Sequence, residues 1–245
     1  MMNESEGKDS LVEEILTDGE IKLQGQFVMG NNYTFLVTVT RNKETIQAVY
    51  KPSRGEQPLY DFPKESLSRR EVAAYQVSEA LGWNLVPVTV LKNEGPFGEG
   101  SLQFFIEHDP DKHYFNFNDD LLAKLKPVAV FDLLINNADR KGGHILVDAQ
   151  EKIWLIDHGL CFHEEEKLRT VIWDFAGEPI PTELWEGLNK FISNLKEEGA
   201  LFKRLAALIN LQELNALQLR AEHLLAEGCF PSPPTDRRAF PFPPV

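Results

Sequence analysis

Asp139 and Asp157 both lie in the stretch Asn136–Gly159, which reads NNADRKGGHILVDAQEKIWLIDHG. Asp139 comes five residues before His144, and eighteen residues after Asp139 an apolar run that begins at Ile153 ends in Asp157. Phosphoryl transfer needs one carboxylate to orient the attacking hydroxyl and another to hold metal ions against the phosphates, because the reaction is mostly positioning and charge neutralisation. The segment is therefore a candidate phosphoryl-transfer site.

The order and spacing of these residues resemble the active site of protein kinases, where the first carboxylate lies in D-x-x-x-x-N and the second in D-F-G. Here DRKGGH and DHG take those places, with His144 at the asparagine position and His158 at the phenylalanine position. The Asp-Arg opening and the loss of phenylalanine resemble the phosphatidylinositol 3- and 4-kinase branch. Over roughly residues 20 to 227 the chain resembles an uncharacterised bacterial phosphatidylinositol 3-/4-kinase-like family, within a protein-kinase-like superfamily that also contains HipA-type kinases.

The resemblance implies a role for each polar residue of this stretch. Asp139 would be the catalytic residue that orients or accepts the proton of the attacking hydroxyl, and Lys141 would offer positive charge to the transferred phosphate. Asp157 would be the main metal ligand, because an apolar strand delivers it to a loop in which Gly159 allows a sharp turn. His144 would be the second ligand, and an imidazole suits Mn²⁺ better than Mg²⁺. The implied cofactors are ATP with Mg²⁺ or Mn²⁺.

The implied nucleotide-binding residues lie in the first half of the chain. Lys51 ends an apolar run, where the family places the amine that contacts the α- and β-phosphates. Glu71, twenty residues later in a helical pattern, is the expected ion-pair partner of Lys51, with Glu65 as the alternative. The turn Gly30-Asn31-Asn32 lies where phosphate-covering loops occur, and its residue types tolerate positive φ, which lets backbone N–H groups point at an anion. The same turn is also typical of an ordinary hairpin.

The pattern of apolar residues predicts the elements that must position these side chains. Alternating apolar residues predict five strands and helical spacing predicts one helix that Gly82 ends, in the order Ile21–Met29, Tyr33–Val39, Thr45–Lys51, helix Ser66–Leu81, Val86–Leu91 and Ser101–Ile106. A buried helix is predicted over Asp119–Ile135, and residues 182–226 are mostly helical by pattern. The predicted fold class is α+β, a bilobal protein-kinase-like fold with an antiparallel β-sheet N-lobe, one helix in that lobe, and an α-rich C-lobe.

The composition of the two ends predicts tails on either side of the lobes. The first 20 residues hold seven acids and one lysine, and the last 15 hold six prolines. The predicted division is an acidic N-terminal tail over 1–19, an N-lobe over 20–106, a C-lobe over 107–227 and a Pro-rich C-terminal tail over 228–245. Within the first tail, Ser10–Glu13 fits a capping box before a short helix that could dock or fray.

Charge and cysteine content narrow the class of partner. The formal net charge of −13 argues against nucleic acid, which usually needs a stripe of Lys and Arg, and it disfavours an anionic membrane surface. With two cysteines, no secretory leader at the start of the sequence and no apolar run of transmembrane length, a reduced cytoplasmic setting is the expectation. The partners expected are ATP and an unidentified phospho-acceptor, whether a protein, a lipid headgroup or a small molecule.

Three functions remain open from the sequence. The first is an ATP-dependent phosphotransferase, phosphatidylinositol-kinase-like, that moves the γ-phosphate to a hydroxyl acceptor. The second is a nucleotide-binding pseudokinase that acts through a protein partner, which His144 and the missing glycine-rich loop favour. The third keeps the kinase fold but transfers an adenylyl group to a protein. Sequence alone does not rank the acceptors.

Overall fold

The computed structural model describes residues 4–27, 32–196 and 198–245 of the chain. Within those ranges it contains seven β-strands and seven α-helices. One five-stranded antiparallel sheet lies near the start of the chain, one two-stranded sheet lies in its middle, and five of the helices follow the five-stranded sheet. The predicted α+β class with an antiparallel sheet in the first half is confirmed.

The large sheet has the strand order β1-β2-β3-β5-β4, with every neighbouring pair antiparallel. Alternate residues of the central strands face the core, so that Val37, Val39, Ala48 and Tyr50 are fully buried while their neighbours face the other side. The strands are β1 (Glu20–Gln26), β2 (Phe35–Arg41), β3 (Glu44–Pro52), β4 (Thr89–Gly95) and β5 (Gly98–Phe104). The predicted five strands are all present, with shifted ends.

The start of β4 differs from the predicted strand Val86–Leu91. The backbone N–H groups of Leu85 and Val86 donate to the side-chain oxygen of Ser78, at 2.8 and 3.2 Å, and Pro87 has no N–H to give. The N–H groups of Leu85 and Val86 therefore bind the neighbouring helix, and residue pairing of β4 with β5 begins at Thr89.

The acidic N-terminal segment forms helix α1 (Glu4–Asp18) and packs against the large sheet. The helix runs through Ser10, so the predicted capping box at Ser10 is wrong. Val12, Ile15 and Leu16 are buried, and their spacing places them on one helical face. Arg41 of β2 pairs with Glu14 at 2.9 Å, which offsets some of the acidic charge of the helix. The sheet therefore carries a second helix in addition to the one that the sequence predicts.

Helix α2 (Leu67–Leu81) is the predicted helix of the first lobe, and it ends where Gly82 adopts φ of 72°. The single helix predicted over Asp119–Ile135 is wrong, because two helices occupy that range, α3 (Asp119–Ala123) and α4 (Lys126–Ile135). Pro127 lies in the first turn of α4, where its missing N–H costs nothing, whereas in a continuous helix it would remove a hydrogen bond.

The rest of the chain supplies the small sheet and three further helices. Strands β6 (Ile145–Val147) and β7 (Ile153–Leu155) pair in an antiparallel hairpin. Helices α5 (Thr182–Asn194), α6 (Ala200–Ala206) and α7 (Leu211–Glu227) follow, and α5 and α7 pack on each other. None of the helices in the described ranges is both long and apolar enough to span a bilayer.

The Pro-rich segment after α7 is docked on the protein surface and does not extend away from it. Residues 228–230 pair with residues 177–180 through backbone hydrogen bonds, and Phe230 is buried. The composition of this segment predicts a tail because it lacks the apolar periodicity of a helix or strand, yet its backbone groups find partners on the chain. The boundaries of the four predicted segments stay a prediction.

A buried ion pair joins α2 to α7. The Arg70 guanidinium lies 2.5 Å from the Glu213 carboxylate, with 1% and 4% of the two side chains exposed. Arg70 also donates to the carbonyl of Cys161 at 2.6 Å, and Glu213 accepts from the N–H of Asn210 at 3.1 Å. Because the charges are removed from water, each depends on the other for compensation.

We expect Arg70→Met to lower the free energy of unfolding by about 3–5 kcal/mol, because it leaves the Glu213 carboxylate buried without its partner. Urea-induced unfolding measures the change. Arg69→Met is the matched control, since Arg69 lies on the same helix in a half-exposed pair with Glu99 and should cost about 0–1 kcal/mol. The double variant Arg70→Met/Glu213→Leu should recover much of the loss, and equal losses for Arg69→Met and Arg70→Met would contradict the assignment.

Candidate active site

Lys51 lies at the centre of the candidate site and contacts two carboxylates that come from different parts of the chain. Its ammonium donates to Glu71 Oε1 of helix α2 and, at 2.8 Å, to Asp157 Oδ1 of the loop after β7. The side chain of Glu71 is 4% exposed, whereas that of Asp157 is 50% exposed. Glu71, and not the exposed Glu65, is therefore the partner of Lys51.

Strand β3 and helix α2 fix the backbone positions of Lys51 and Glu71. Lys51 is the penultimate residue of β3 and pairs with Ser101 of β5, so its backbone is held in the middle of the sheet. Burial lowers the pKa of Lys51, but the Asp157 and Glu71 carboxylates outweigh burial and raise that pKa above its usual range. The ammonium therefore stays charged near neutral pH.

Asp157 adopts φ of 65°, which is the left-handed region that residues other than glycine rarely enter. A conformation of this kind costs of order 1 kcal/mol and persists only where the surroundings hold it. The Lys51 ammonium lowers the pKa of Asp157 far below its usual range, against the effect of burial, and His144 adds to the lowering. The carboxylate is thus ionised, which metal binding requires, and its side chain is half exposed.

His144 presents its imidazole to Asp157, with Nε2 at 3.2 Å from Oδ2. Burial lowers the pKa of His144 to about 4, so the ring is neutral near pH 7. Nδ1 lies 3.0 Å from the carbonyl oxygen of Asp139 and 3.4 Å from the N–H of Lys141. A proton on Nε2 would donate to Asp157, whereas a proton on Nδ1 donates to the closer Asp139 carbonyl and leaves a lone pair on Nε2.

This tautomer sets a nitrogen lone pair beside a carboxylate oxygen, and both groups are acceptors. Two acceptors at 3.2 Å fit a shared divalent cation, and a histidine whose other nitrogen donates to a carbonyl is the usual arrangement of a metal ligand. The described residues contain no cluster of three or more histidine, cysteine or acidic side chains suited to a metal ion. A two-residue donor set fits an ion that also binds phosphate oxygens, as Mg²⁺ commonly does.

Asp139 and Lys141 form a pair in the loop before His144. Their side chains are 28% and 22% exposed, and Lys141 Nζ lies 3.5 Å from Asp139 Oδ2. Burial raises the pKa of Asp139 to about 6, with Asp157 adding to the rise and Lys141 opposing it. A carboxylate with a pKa near the working pH is well suited to accept a proton from a hydroxyl.

A buried network lies beneath the loop and contains two residues whose importance the sequence did not reveal, Asp132 and His158. Arg140 is fully buried and donates from Nε to both carboxylate oxygens of Asp132, at 3.0 and 3.1 Å. Its Nη2 donates to His158 Nε2 at 2.9 Å. The backbone N–H of His158 donates to Glu71 Oε2 at 2.9 Å. The signal for Asp132 was its place as the one acid in the apolar helix KPVAVFDLLI.

Part of the predicted phosphate-covering turn, Gly30 and Asn31, lies outside the described residues. Asn32 is described, and its side-chain oxygen accepts a hydrogen bond from the N–H of Gln57 at 2.8 Å. That bond ties the end of the hairpin to the loop after β3 and uses an oxygen that would otherwise face solvent. A phosphate-binding role for Gly30, Asn31 and Asn32 stays a prediction.

The structure thus brings Lys51, Glu71, Asp157 and His144 into one chain of contacts and sets the Asp139–Lys141 pair beside it, joined through the hydrogen bond of His144 to the Asp139 carbonyl. The three segments that carry these residues are the end of a strand, the buried face of a helix and the loops around a small hairpin. The catalytic, nucleotide and metal roles of the residues remain predictions from sequence and geometry.

The amino-acid sequence matches the family model described as phosphatidylinositol 3- and 4-kinase over residues 36–211. The chain is 37% identical to Protein Rv2133c of Mycobacterium tuberculosis over 94% of each sequence. It is 26% identical to phosphatidylinositol 4-kinase gamma 4 of Oryza sativa subsp. japonica, where the match covers 73% of this chain and 42% of the plant protein.

Two solved structures share the fold at low sequence identity. The structure of hydra Fam20 with sugar has a TM-score of 0.58 at 14% identity, covering 91% of this chain and 89% of that one. The Helicobacter pylori proinflammatory kinase CtkA has a TM-score of 0.51 at 13% identity, covering 88% and 94%. The fold is therefore kinase-like, and the chain belongs to the phosphatidylinositol 3- and 4-kinase family, as its sequence predicts.

Proposed function

We propose that this protein is an ATP-dependent kinase that transfers the γ-phosphate of ATP to a hydroxyl group. The observation that carries the proposal is the double contact of the Lys51 ammonium, which binds Glu71 of α2 and Asp157 of the loop after β7 at the same time. In kinases a lysine and glutamate pair holds the nucleotide phosphates while an aspartate holds the metal ions, and both must be in place for transfer. Here the three side chains already meet.

In this proposal Lys51 binds the α- and β-phosphates, and Glu71 keeps its ammonium in position. Glu71 suits that task because its carboxylate is nearly buried and its second oxygen is held by the His158 N–H. Asp157 and His144 would hold Mg²⁺ or Mn²⁺, which when bound supplies positive charge against the phosphate oxygens. The Asp157 carboxylate is half exposed, so it can give up its contact with Lys51 and bind the metal ion instead.

Asp139 orients the attacking hydroxyl and accepts its proton, and Lys141 stabilises the negative charge of the transferred group. The two side chains are close enough to act on one acceptor, since Lys141 Nζ and Asp139 Oδ2 are 3.5 Å apart. The hydrogen bond between His144 Nδ1 and the Asp139 carbonyl couples this pair to the proposed metal ligands. Water, as the simplest hydroxyl, is an acceptor that every assay contains.

We expect Asp157→Asn and Asp139→Asn each to lower ATP turnover by at least about 10²-fold, the loss typical of a positioned acid–base or electrostatic group. ADP formation with Mg²⁺ and then Mn²⁺ measures the effect. Asp120→Asn is the matched control, because Asp120 is an exposed carboxylate at the start of α3 and should leave turnover unchanged.

Thermal unfolding in the presence of ATP, compared with turnover, separates a kinase from a protein that only binds nucleotide. Saturation at 100 times the dissociation constant stabilises a binding protein by about 2.7 kcal/mol. Stabilisation without turnover in the wild type, and with no effect of Asp139→Asn, would instead support a pseudokinase. Transfer of an adenylyl group in place of a phosphate would be visible in the mass of the modified acceptor.

The activity should depend on pH through Asp139, whose pKa is raised to about 6 by burial. The carboxylate must be ionised to accept a proton, so kcat/KM should fall as the pH drops below about 6. Lys141 lowers this pKa, and Lys141→Met should therefore move the acid limb of the pH–rate profile to higher pH. An acid limb at the same pH in Lys141→Met would show that another group controls the profile.

The identity of the metal should depend on His144. Imidazole favours softer divalent ions, whereas an amide oxygen is a harder ligand that suits Mg²⁺. We expect His144→Asn to lower the ratio of Mn²⁺-supported to Mg²⁺-supported turnover relative to the wild type. His163→Asn is the control, since His163 is a partly buried histidine outside the site, and an unchanged ratio in His144→Asn would exclude His144 as a ligand.

A further inference from the structure

The C-terminal segment, defined here as residues 237–244, runs along the loop that follows the candidate active site. Arg237 donates to the carbonyl of Leu168 at 2.9 Å and to the Glu166 carboxylate at 3.0 Å. The carbonyl of Ala239 accepts from the N–H of Thr170 at 3.1 Å and from the Trp173 indole at 3.2 Å. The segment therefore fills a backbone edge of residues 168–171.

The opposite edge of the same residues is bound to the catalytic loop. The N–H of Arg140 donates to the Arg169 carbonyl at 3.0 Å, and the N–H of Val171 donates to the Arg140 carbonyl at 3.1 Å. Three stretches of backbone therefore lie side by side, with the loop of Asp139 on one side, residues 169–171 in the middle and the C-terminal segment on the other side. The segment is the outermost of the three.

The far end of the segment returns to the catalytic loop itself. The carbonyl of Pro244 accepts a hydrogen bond from the N–H of Gly142 at 2.8 Å. Gly142 directly follows Lys141 and lies three residues after Asp139, and the ring of Phe115 packs so closely that a Cβ at Gly142 would lie 2.9 Å from it. The segment thus reaches the loop that carries Asp139 and Lys141.

Backbone groups make most of these contacts, and few side chains anchor the segment. Ala239 and Pro241 are buried, whereas Phe240, Phe242 and Val245 are 49%, 80% and 56% exposed. A chain that docks through backbone carbonyls can be replaced by another polypeptide, because main-chain hydrogen bonds do not depend on sequence. The surface therefore holds a polypeptide, and the occupant is a piece of the same chain.

We propose that residues 237–244 occupy a polypeptide acceptor site and compete with acceptor chains for it. The proposal rests on the proposed kinase function and adds the class of acceptor, a hydroxyl-bearing residue of a polypeptide. A tethered competitor acts at an effective concentration in the mM range, so the docked segment keeps added polypeptides away from Asp139. Phosphorylation of a polypeptide then requires that the segment leave its place.

The test compares the full chain with the double variant Arg237→Ala/Ala239→Arg, which removes the ion pair and places a bulky side chain at a buried position. Arg238→Ala is the matched control, because Arg238 is an exposed neighbour that contacts only the Phe242 ring among the interactions described, at 6.0 Å. The probe acceptor is a degenerate peptide library with a fixed Ser, Thr or Tyr. Phosphate transfer to the library and ADP formation without it are measured together.

We expect the double variant to phosphorylate the library at least about tenfold faster than the wild type and Arg238→Ala, since release removes a competitor at mM effective concentration. ADP formation without peptide should change little, and a synthetic peptide of residues 236–245 should suppress library phosphorylation by the double variant. Hydrogen exchange at Thr170 and Gly142 reports whether the segment has left. If it remains docked, the same comparison is made with residues 237–245 deleted.

Equal rates of transfer to the library by the wild type and the released variants, whether fast or slow, would overturn the proposal. That result would favour a small hydroxyl compound or lipid headgroup as acceptor. Rapid exchange of the Thr170 and Gly142 amides in the wild type would also overturn it, because the segment would then not be docked. Absence of ADP formation in every variant would reject the proposed kinase function itself, which distinguishes the two failures.

Discussion

The buried guanidinium of Arg140 is the interaction on which the site depends. It has no exposed surface, and all of its hydrogen-bonding nitrogens face protein groups: the Asp132 carboxylate, the carbonyls of His144 and Ile156, and His158 Nε2. A charge in this position is tolerated only when it is fully paired, because removing it from water costs several kcal/mol. The contacts hold both loops of the candidate site, at 3.3 Å for the His144 carbonyl and 2.9 Å for the Ile156 carbonyl.

Asp132 is the buried carboxylate that pairs with Arg140. Its carboxylate also accepts from Asn137 at 3.0 Å and from Thr170 at 3.2 Å, so one buried carboxylate binds the helix end, the catalytic loop and the loop after the site. Each of these partners is a donor, which is what an ionised carboxylate away from water requires. The position of Asp139 therefore follows from a polar network behind it more than from its own side-chain contacts.

His158 extends the network to the first lobe through its backbone N–H, which donates to Glu71, while its ring binds Arg140. Because the guanidinium can only donate, His158 Nε2 must accept, and its proton lies on Nδ1, 3.8 Å from Glu71 Oε2. Burial, followed by the Arg140 charge, holds the pKa of His158 well below its usual range, so the ring stays neutral. A phenylalanine would fill the same space beside Phe131 and would keep the backbone N–H that donates to Glu71, but its ring could not accept a hydrogen bond from Arg140.

The residues of the site could be predicted from sequence because their signals are local. Lys51 follows an alternating strand, Asp157 follows an apolar run, and the spacing of both motifs is short. The break in the predicted helix Asp119–Ile135 also had a local cause, Pro127, but a prediction from apolar spacing alone does not take proline into account. By contrast, the docking of α1 and of residues 237–244 depends on partners far away in the sequence, and no periodicity records which backbone groups a Pro-rich segment will bind.

The proposed function also follows from the balance of charge around Lys51. Without nucleotide, its single ammonium faces two carboxylates, Glu71 and Asp157, so the centre of the site carries an excess of negative charge. The polyphosphate of ATP alone would be repelled there, whereas a polyphosphate that brings a divalent cation offers Asp157 and His144 a partner in exchange for Lys51. Lys51 would then leave Asp157 to bind phosphate while it keeps Glu71. The contact between Lys51 and Asp157 is therefore the one that the proposed substrate would break, and the half-exposed Asp157 is the partner that solvent already reaches.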